Sequence, residues 1–316
     1  APLVSSAGRA HPVAIRYLDR EPVGRLDEIV AAAVRRALKE TSGDLLVFLP
    51  GAGEIRRCAA RLADLTESVD IRPLYGDLPF AEQERAIFPG PRRRVVLATN
   101  IAETSLTIDG VAVVVDAGWE RRPRFDAARG MTTLVLTRIS RASAEQRAGR
   151  AGRLGPGICY RLWPEGLHGA LLPFTPPEIR GVDLAPLALD LARWGVDDAN
   201  KLAWLDPPPA GHLSGARALL RLLGALDAGD RITPLGEAMA ALPLHPRLAR
   251  LLLAARDSGC PALGADLAAL LSERDLLSGS ELPRHAGESD LLDRLELLRR
   301  PGAEGVTRAA RQFRRL

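Results

Sequence analysis

The chain has 316 residues, a length that allows two or three domains. Hydrophobic residues make up 47% of it, enough for packed cores, yet no apolar run nears the roughly 18 residues of a membrane span. The net charge of +4 rests almost wholly on arginine, because only Lys39 and Lys201 are lysines, and such a charge alone is weak ground for a nucleic-acid partner.

In chain order, residues 1–22 read as an extended lead-in with a possible edge strand over 13–18. Leu26, Ile29, Val30, Ala33, Val34, Ala37 and Leu38 recur at helical spacing, so an amphipathic helix comes next. Leu45-Leu46-Val47-Phe48-Leu49 is an unbroken apolar run closed by Pro50-Gly51, the signature of a strand buried on both faces. The alternation then repeats: a helix over 54–64, a short strand over 71–75, a helix over 80–88, and buried strands over 94–98 and 111–115. Strands alternating with helices imply an α/β sheet with parallel strands. Residues 119–137 read as a hairpin insertion turning at Arg129-Gly130. A helix over about 142–151 and a last strand over 157–162 complete this region.

Beyond Pro164, Pro173, Pro176 and Pro177 punctuate a linker and helical patterns take over, at 184–194, 214–226, 248–256 and 263–271. Between the second and third, residues 230–236 read as a wing-like strand and turn, which fits a small winged-helix module. A polar tail after Gly279 ends in a helix over 290–300 and an arginine-rich finish.

Several features exclude chemistry. Cys58, Cys159 and Cys260 have no CxxC or His/Cys company, so neither a disulfide framework nor a zinc site is indicated, and reduced thiols of a cytoplasmic protein are expected. The start shows no basic region before an apolar stretch, so no signal peptide is read there. It also lacks Met, and a fragment of a longer protein is expected. Gly51-Ala52-Gly53 opens like a dinucleotide fingerprint, but the third glycine position is Arg56. Asp27-Glu28 falls within the amphipathic helix and reads as a solvated face rather than a magnesium site. A phosphate-binding P-loop needs Gly-Lys followed by Ser or Thr. Here Glu40 follows Lys39 and Leu202 follows Lys201, so the chain contains none.

The sharpest positive feature is Gln146-Arg147-Ala148-Gly149-Arg150-Ala151-Gly152-Arg153. On a helix Gln146, Arg150 and Arg153 share one face. Cations stacked on one stripe repel each other unless an anion sits opposite. Gly149 and Gly152 each cost roughly 0.5–1 kcal/mol inside a helix, which implies close approach of a backbone or ligand. A triphosphate fits, because arginines from a second domain stabilise charge on a transferring phosphoryl group. The second feature is residues 98–110, Ala98-Thr99-Asn100-Ile101-Ala102-Glu103-Thr104-Ser105-Leu106-Thr107-Ile108-Asp109-Gly110, which come directly after a buried strand, where α/β sheets place ligands. Its hydroxyls and amide suit phosphate contacts without base readout.

These two segments resemble motifs V and VI of the DEAH/RHA group of superfamily 2 helicases. Residues 45–57 resemble motif IV of that group, and residues 74–85 resemble the segment just beyond motif IV. The resemblance is most specific over residues 10–165, and 183–189 and 242–250 extend it across most of the chain. It implies a RecA-like parallel sheet with a β-hairpin insertion, then a mainly α winged-helix and helical-bundle region. The implied limits are 1–168 for the second RecA-like domain, 169–242 for the winged helix and 243–316 for the start of a helical, ratchet-like domain.

By the same resemblance Gln146, Arg150 and Arg153 face the γ-phosphate of ATP, the arginines as fingers. Phe88 stacks on the adenine, Asp109 contacts the ribose, and Thr104 couples nucleotide to nucleic acid. Thr99 and Asn100 lie near the nucleic-acid backbone. Arg121, Arg122, Arg124 and Arg129 bind phosphates from the hairpin, an affinity that falls with salt. The family's P-loop and acidic box, which hold Mg2+, belong to a first RecA-like domain that is missing here. The expectation is a half-site, inactive alone, in a monomeric ATP-dependent RNA helicase that works away from membranes. DNA as the track, and a non-catalytic winged-helix binding module, remain as alternatives.

Overall fold

Apolar runs too continuous for a half-exposed strand dictate a sheet covered on both faces. The computed structural model, which describes residues 11–104, 106–126, 130–273, 290–298 and 304–316, contains that sheet. Its chain order is β1 (Val13–Tyr17), α1 (Leu26–Glu40), β2 (Asp44–Phe48), α2 (Ala52–Arg61), β3 (Asp70–Leu74), α3 (Phe80–Ile87), β4 (Arg94–Ala98), α4 (Ile101–Thr104) and β5 (Val111–Asp116). Then come the hairpin β6 (Trp119–Asp126) and β7 (Met131–Arg138), α5 (Arg141–Gly149), β8 (Gly157–Arg161) and α6 (Glu165–Ala170). Six strands lie in the order β1-β8-β5-β2-β4-β3, every pairing parallel, with β6 and β7 as a separate two-stranded sheet.

Strand alternation sends successive side chains to opposite faces. Leu45, Val47, Val95, Leu97, Val113 and Val115 pack against Val30 and Val34 of α1 and Ile55 and Cys58 of α2. Leu46, Phe48, Val96, Ala98 and Val114 face the other way, onto Ala148 of α5 and Ala151 just beyond it. The arginine-bearing segment is therefore seated on a face of the sheet by its alanines.

Of the Asp27–Glu28 pair, Glu28 is on the solvated face that its position in the sequence implies and Asp27 is not. Asp27 is buried, and Arg61 of α2 donates to it from the neighbouring helix. That hydrogen bond, opposed by burial, holds the Asp27 carboxyl below the usual carboxylate range.

The described residues divide into two compact units, one of Ala1–Arg124 with Thr132–Pro177 and one of Phe125–Met131 with Glu178–Leu316. The second unit is helical: α7 (Ala185–Arg193), α8 (Ala210–Leu222), α9 (Pro234–Ala240), α10 (Pro246–Asp257), α11 (Pro261–Ser272), α12 (Asp290–Leu297) and α13 (Glu304–Phe313). One core joins α7 through α10, by way of Leu189, Leu220, Met239 and Leu253. Val306, Ala309 and Ala310 of α13 pack on Ala269 and Leu270 of α11.

The wing is smaller than the sequence implies. Leu226 and Ile232 form a single antiparallel bridge, and Asp230 takes the left-handed turn at φ 60°. Pro234 to Gly236 do not end a strand. They open α9, whose first turn is capped by Thr233 accepting from the Gly236 N–H at 3.0 Å.

Candidate functional site

The segment 98–110 leaves the carboxyl end of β4, the position at which open α/β sheets bind ligands. The Thr99 N–H donates to the Leu74 carbonyl at 3.2 Å, and the one-turn helix α4 comes next. Thr99 is half-buried, while Asn100, Thr104 and Asp109 are exposed. Gly110 closes the segment at φ +83°, where an added Cβ would stand 2.9 Å from Asp44 Oδ2. Only glycine satisfies both the left-handed backbone and that approach.

α5 begins with a Ser140 cap that accepts from the Ser143 N–H. It ends at Gly149, and residues Arg150–Gly152 tighten into a 3-10 turn. The single helical stripe implied by the sequence therefore does not run through Arg153. Gln146 and Arg153 are exposed, but Arg150 is turned inward and only 6% exposed. Its Nε donates to the Glu103 carbonyl at 2.8 Å and its Nη1 to the Leu106 carbonyl at 2.7 Å. Arg153 Nη1 donates to Thr107 Oγ1 at 2.9 Å. Both arginines are thus brought to the 98–110 segment. Burial pushes the Arg150 guanidinium below its usual value, and the neighbouring Arg153 charge adds to the effect. An anion between them would relieve both.

The residue that sequence reasoning passes over is Arg147, 1% exposed. Its Nε donates to Glu103 Oε2 at 2.9 Å and its Nη1 to Asp116 Oδ1 at 3.0 Å. Glu120, at the base of the hairpin, stands 3.9 Å away. Burial opposes the charge, but Asp116 and Glu103 outweigh it and hold the guanidinium above its ordinary value. One buried cation thereby ties α4, β5 and the hairpin base to α5.

The two glycines of the arginine segment differ. A Cβ on Gly152 would meet the His11 carbonyl oxygen at 2.6 Å and Val13 Cγ2 at 2.8 Å, so the expected close backbone approach is there, from the start of β1. Gly149 has nothing within 4 Å.

In the hairpin Arg121 Nη2 donates to Glu54 Oε1 at 2.9 Å, and Arg122 pairs with Glu120 and donates to Thr175 Oγ1. Arg124 is exposed, and Arg129 lies outside the described residues. The Gly51 that mimics a dinucleotide fingerprint has a structural cause instead. An added Cβ would sit 2.9 Å from Arg121 Nε and 3.0 Å from Glu54 Oε2, so the glycine makes room for that ion pair. Phe88 ends α3 with its ring 60% exposed.

A model of the helicase conserved C-terminal domain matches residues 25–155, and one of the helicase-associated winged-helix domain (HA2) matches residues 216–244. The chain belongs to the helicases, as the part of the motor that these two domains form. It is 46% identical over 285 residues to the ATP-dependent RNA helicase HrpB of Escherichia coli K12, a match covering 89% of this chain and 35% of the relative. The pre-mRNA-splicing factor ATP-dependent RNA helicase prp22 of Schizosaccharomyces pombe is 40% identical over 287 residues, covering 88% of this chain and 25% of the relative. A crystal structure of the Escherichia coli DEAH/RHA helicase HrpB superimposes with a TM-score of 0.87 at 42% identity, covering 99% of this chain and 39% of that one. The chain thus spans about a third or less of the length of these curated relatives.

Proposed function

We propose that this chain is the second RecA-like half of an ATP-dependent RNA helicase, followed by its winged helix (169–242) and the start of a helical domain (243–316). The observation that carries the reading is the joining of Arg150 and Arg153 to the 98–110 segment through Glu103, Leu106 and Thr107. One loop then answers both to a nucleotide, through Gln146, Arg150, Arg153 and Asp109, and to a nucleic-acid backbone, through Thr99 and Asn100. Phe88 offers an exposed ring for the adenine. A phosphate approaching the two arginines would draw Arg150 off its backbone carbonyls, and the loop would move with it.

RNA as the track rests on the two relatives, both described as RNA helicases. The chain contains no P-loop, so the lysine that grips the triphosphate must come from another domain. Mg2+ accompanies the ATP in this reading, with most of its ligands supplied by the missing first RecA-like domain.

The test is an ATPase assay of the purified chain, alone and mixed with the P-loop domain of its full-length protein. The chain alone is expected to stay at background, and the mixture to show hydrolysis stimulated by RNA. Turnover by the chain alone would overturn the half-site reading, and stimulation by DNA alone would overturn the choice of RNA.

A further inference from the structure

Arg94 opens a strand whose five residues are all buried, and it is itself 1% exposed. A lone guanidinium there is costly unless each donor finds a partner. Asp44, on the adjacent strand β2, supplies the counter-charge. Its Oδ1 accepts from the Arg94 backbone N–H at 2.8 Å and its Oδ2 from Arg94 Nε at 2.8 Å. The rest of the fork goes to main-chain carbonyls on two separate segments. Nη1 donates to Ala86 at 3.2 Å, to Ile87 at 3.1 Å and to Phe88, collecting the orphan carbonyls at the end of α3. Nη2, which also stands 2.7 Å from Asp44 Oδ2, donates to the carbonyl of Asp109.

The two residues so joined, Phe88 and Asp109, both carry exposed side chains, so packing of those side chains does not fix their separation. The planar, rigid guanidinium does, because its fork geometry sets where the two carbonyls stand. We infer that Arg94 is a positioning residue that holds Phe88 and Asp109 at the spacing of an adenosine, base against the ring and ribose against the carboxylate. This deepens the nucleotide reading above and rests on it. Arg94 touches no nucleotide itself. Gly110 belongs to the same device, since its missing side chain leaves room for Asp44 beside the fork.

The test uses the full-length protein. Arg94→Lys keeps a cation against Asp44 but replaces the planar fork with one ammonium. The expected result, measured well below a lowered thermal midpoint, is a KM for ATP raised roughly tenfold, a kcat within about twofold, and a reduced preference for ATP over 2′-deoxy-ATP. Phe88→Ala and Asp109→Ala, measured alongside, should raise KM in the same way. If those two raise KM while Arg94→Lys changes neither KM nor the deoxy preference, the positioning role is overturned and the adenosine reading stands. If neither moves KM, the adenosine reading falls and the inference falls with it. Should Arg94→Lys fail to fold, the double variant Asp44→Leu/Arg94→Met carries the test, because replacing both partners of a buried pair preserves packing. A raised KM supports the role, and a wild-type KM overturns it.

Discussion

Arg147 and Arg150 stand three positions apart and meet different demands. Arg147 is enclosed by Glu103, Asp116 and Glu120, so its charge is consumed within the fold. Removing it strands those carboxylates in a buried site, and Arg147→Met should destabilise the chain by roughly 3–5 kcal/mol, read from denaturant midpoints. Arg150 spends its donors on backbone carbonyls, which a phosphate can replace. In the full-length protein Arg150→Ala should lower kcat by roughly 10³-fold, the scale of arginine fingers, and a near-normal kcat would remove Arg150 from that role. Part of this is legible in the sequence. Arg147 falls on the same helical stripe as Ala144, Ala148 and Ala151, and an arginine on an apolar stripe is itself a signal. Arg94 carries no such signal, because an arginine opening a strand usually ends in solvent. Only the pairing of β2 with β4 brings Asp44 beside it.

At the scale of elements, the buried strands are plain from unbroken runs such as 45–49 and 111–115, and the edge position of β1 from its looser pattern. What the periodicity misses lies where local chemistry overrides it. Helical spacing makes α5 two residues too long, because a 3-10 turn keeps that spacing approximately while changing where side chains point. The wing shrinks because Pro234 starts a helix as readily as it stops a strand. The short α6 gives no clear signal, but α13 is written in Val306, Ala309, Ala310 and Phe313, a helical spacing that the arginine-rich composition of the tail masks. The two glycines of the arginine segment give a paired prediction. Gly152→Ala would push a methyl group into the His11 carbonyl and Val13, and should cost about 1–3 kcal/mol by chemical denaturation. Gly149→Ala meets open space at helical backbone angles and should be neutral or stabilising by up to ~1 kcal/mol. If Gly149→Ala nonetheless depresses ATP hydrolysis in the full-length protein, a bound partner is what passes close to that position.

Across the whole molecule, stability should be highest near neutral pH and fall on both sides, the acid side beginning near pH 6.5 because burial holds the His168 imidazole below its ordinary value. The carboxyls of Asp27 and Asp64 are held down chiefly by Arg61 and Arg35, and that of Asp183 by His245 against the pull of burial. Lowered carboxyl values add stability that is complete above about pH 4 and is lost as pH falls through the folded-state values. On the alkaline side burial pushes the Cys58 thiol up to about 12 and Cys159 up as well. Their unfolded counterparts ionise from about pH 8.5, so stability should decline above that value. Urea midpoints across pH 3–11 would show the maximum, and a midpoint unchanged below pH 4 would contradict the assigned pairs. Cys260 is exposed while Cys58 and Cys159 are buried. A maleimide at neutral pH should therefore label one thiol per native chain and three after denaturation.

The order of strands also sets a timetable. Among the described strands β1 is hydrogen-bonded only to β8, with Val13 opposite Gly157, and β8 lies between β1 and β5. During synthesis the first strand to emerge must wait for the last before the sheet can close. At roughly 5–20 residues per second that wait is on the order of ten seconds. Until then β5 presents a bare edge that could recruit a neighbouring nascent chain. Ribosome-stalled chains halted before residue 157 should be cut readily by protease near β1, and chains released beyond Arg161 should resist. An early strand that must wait for a late one makes this unit dependent on uninterrupted translation.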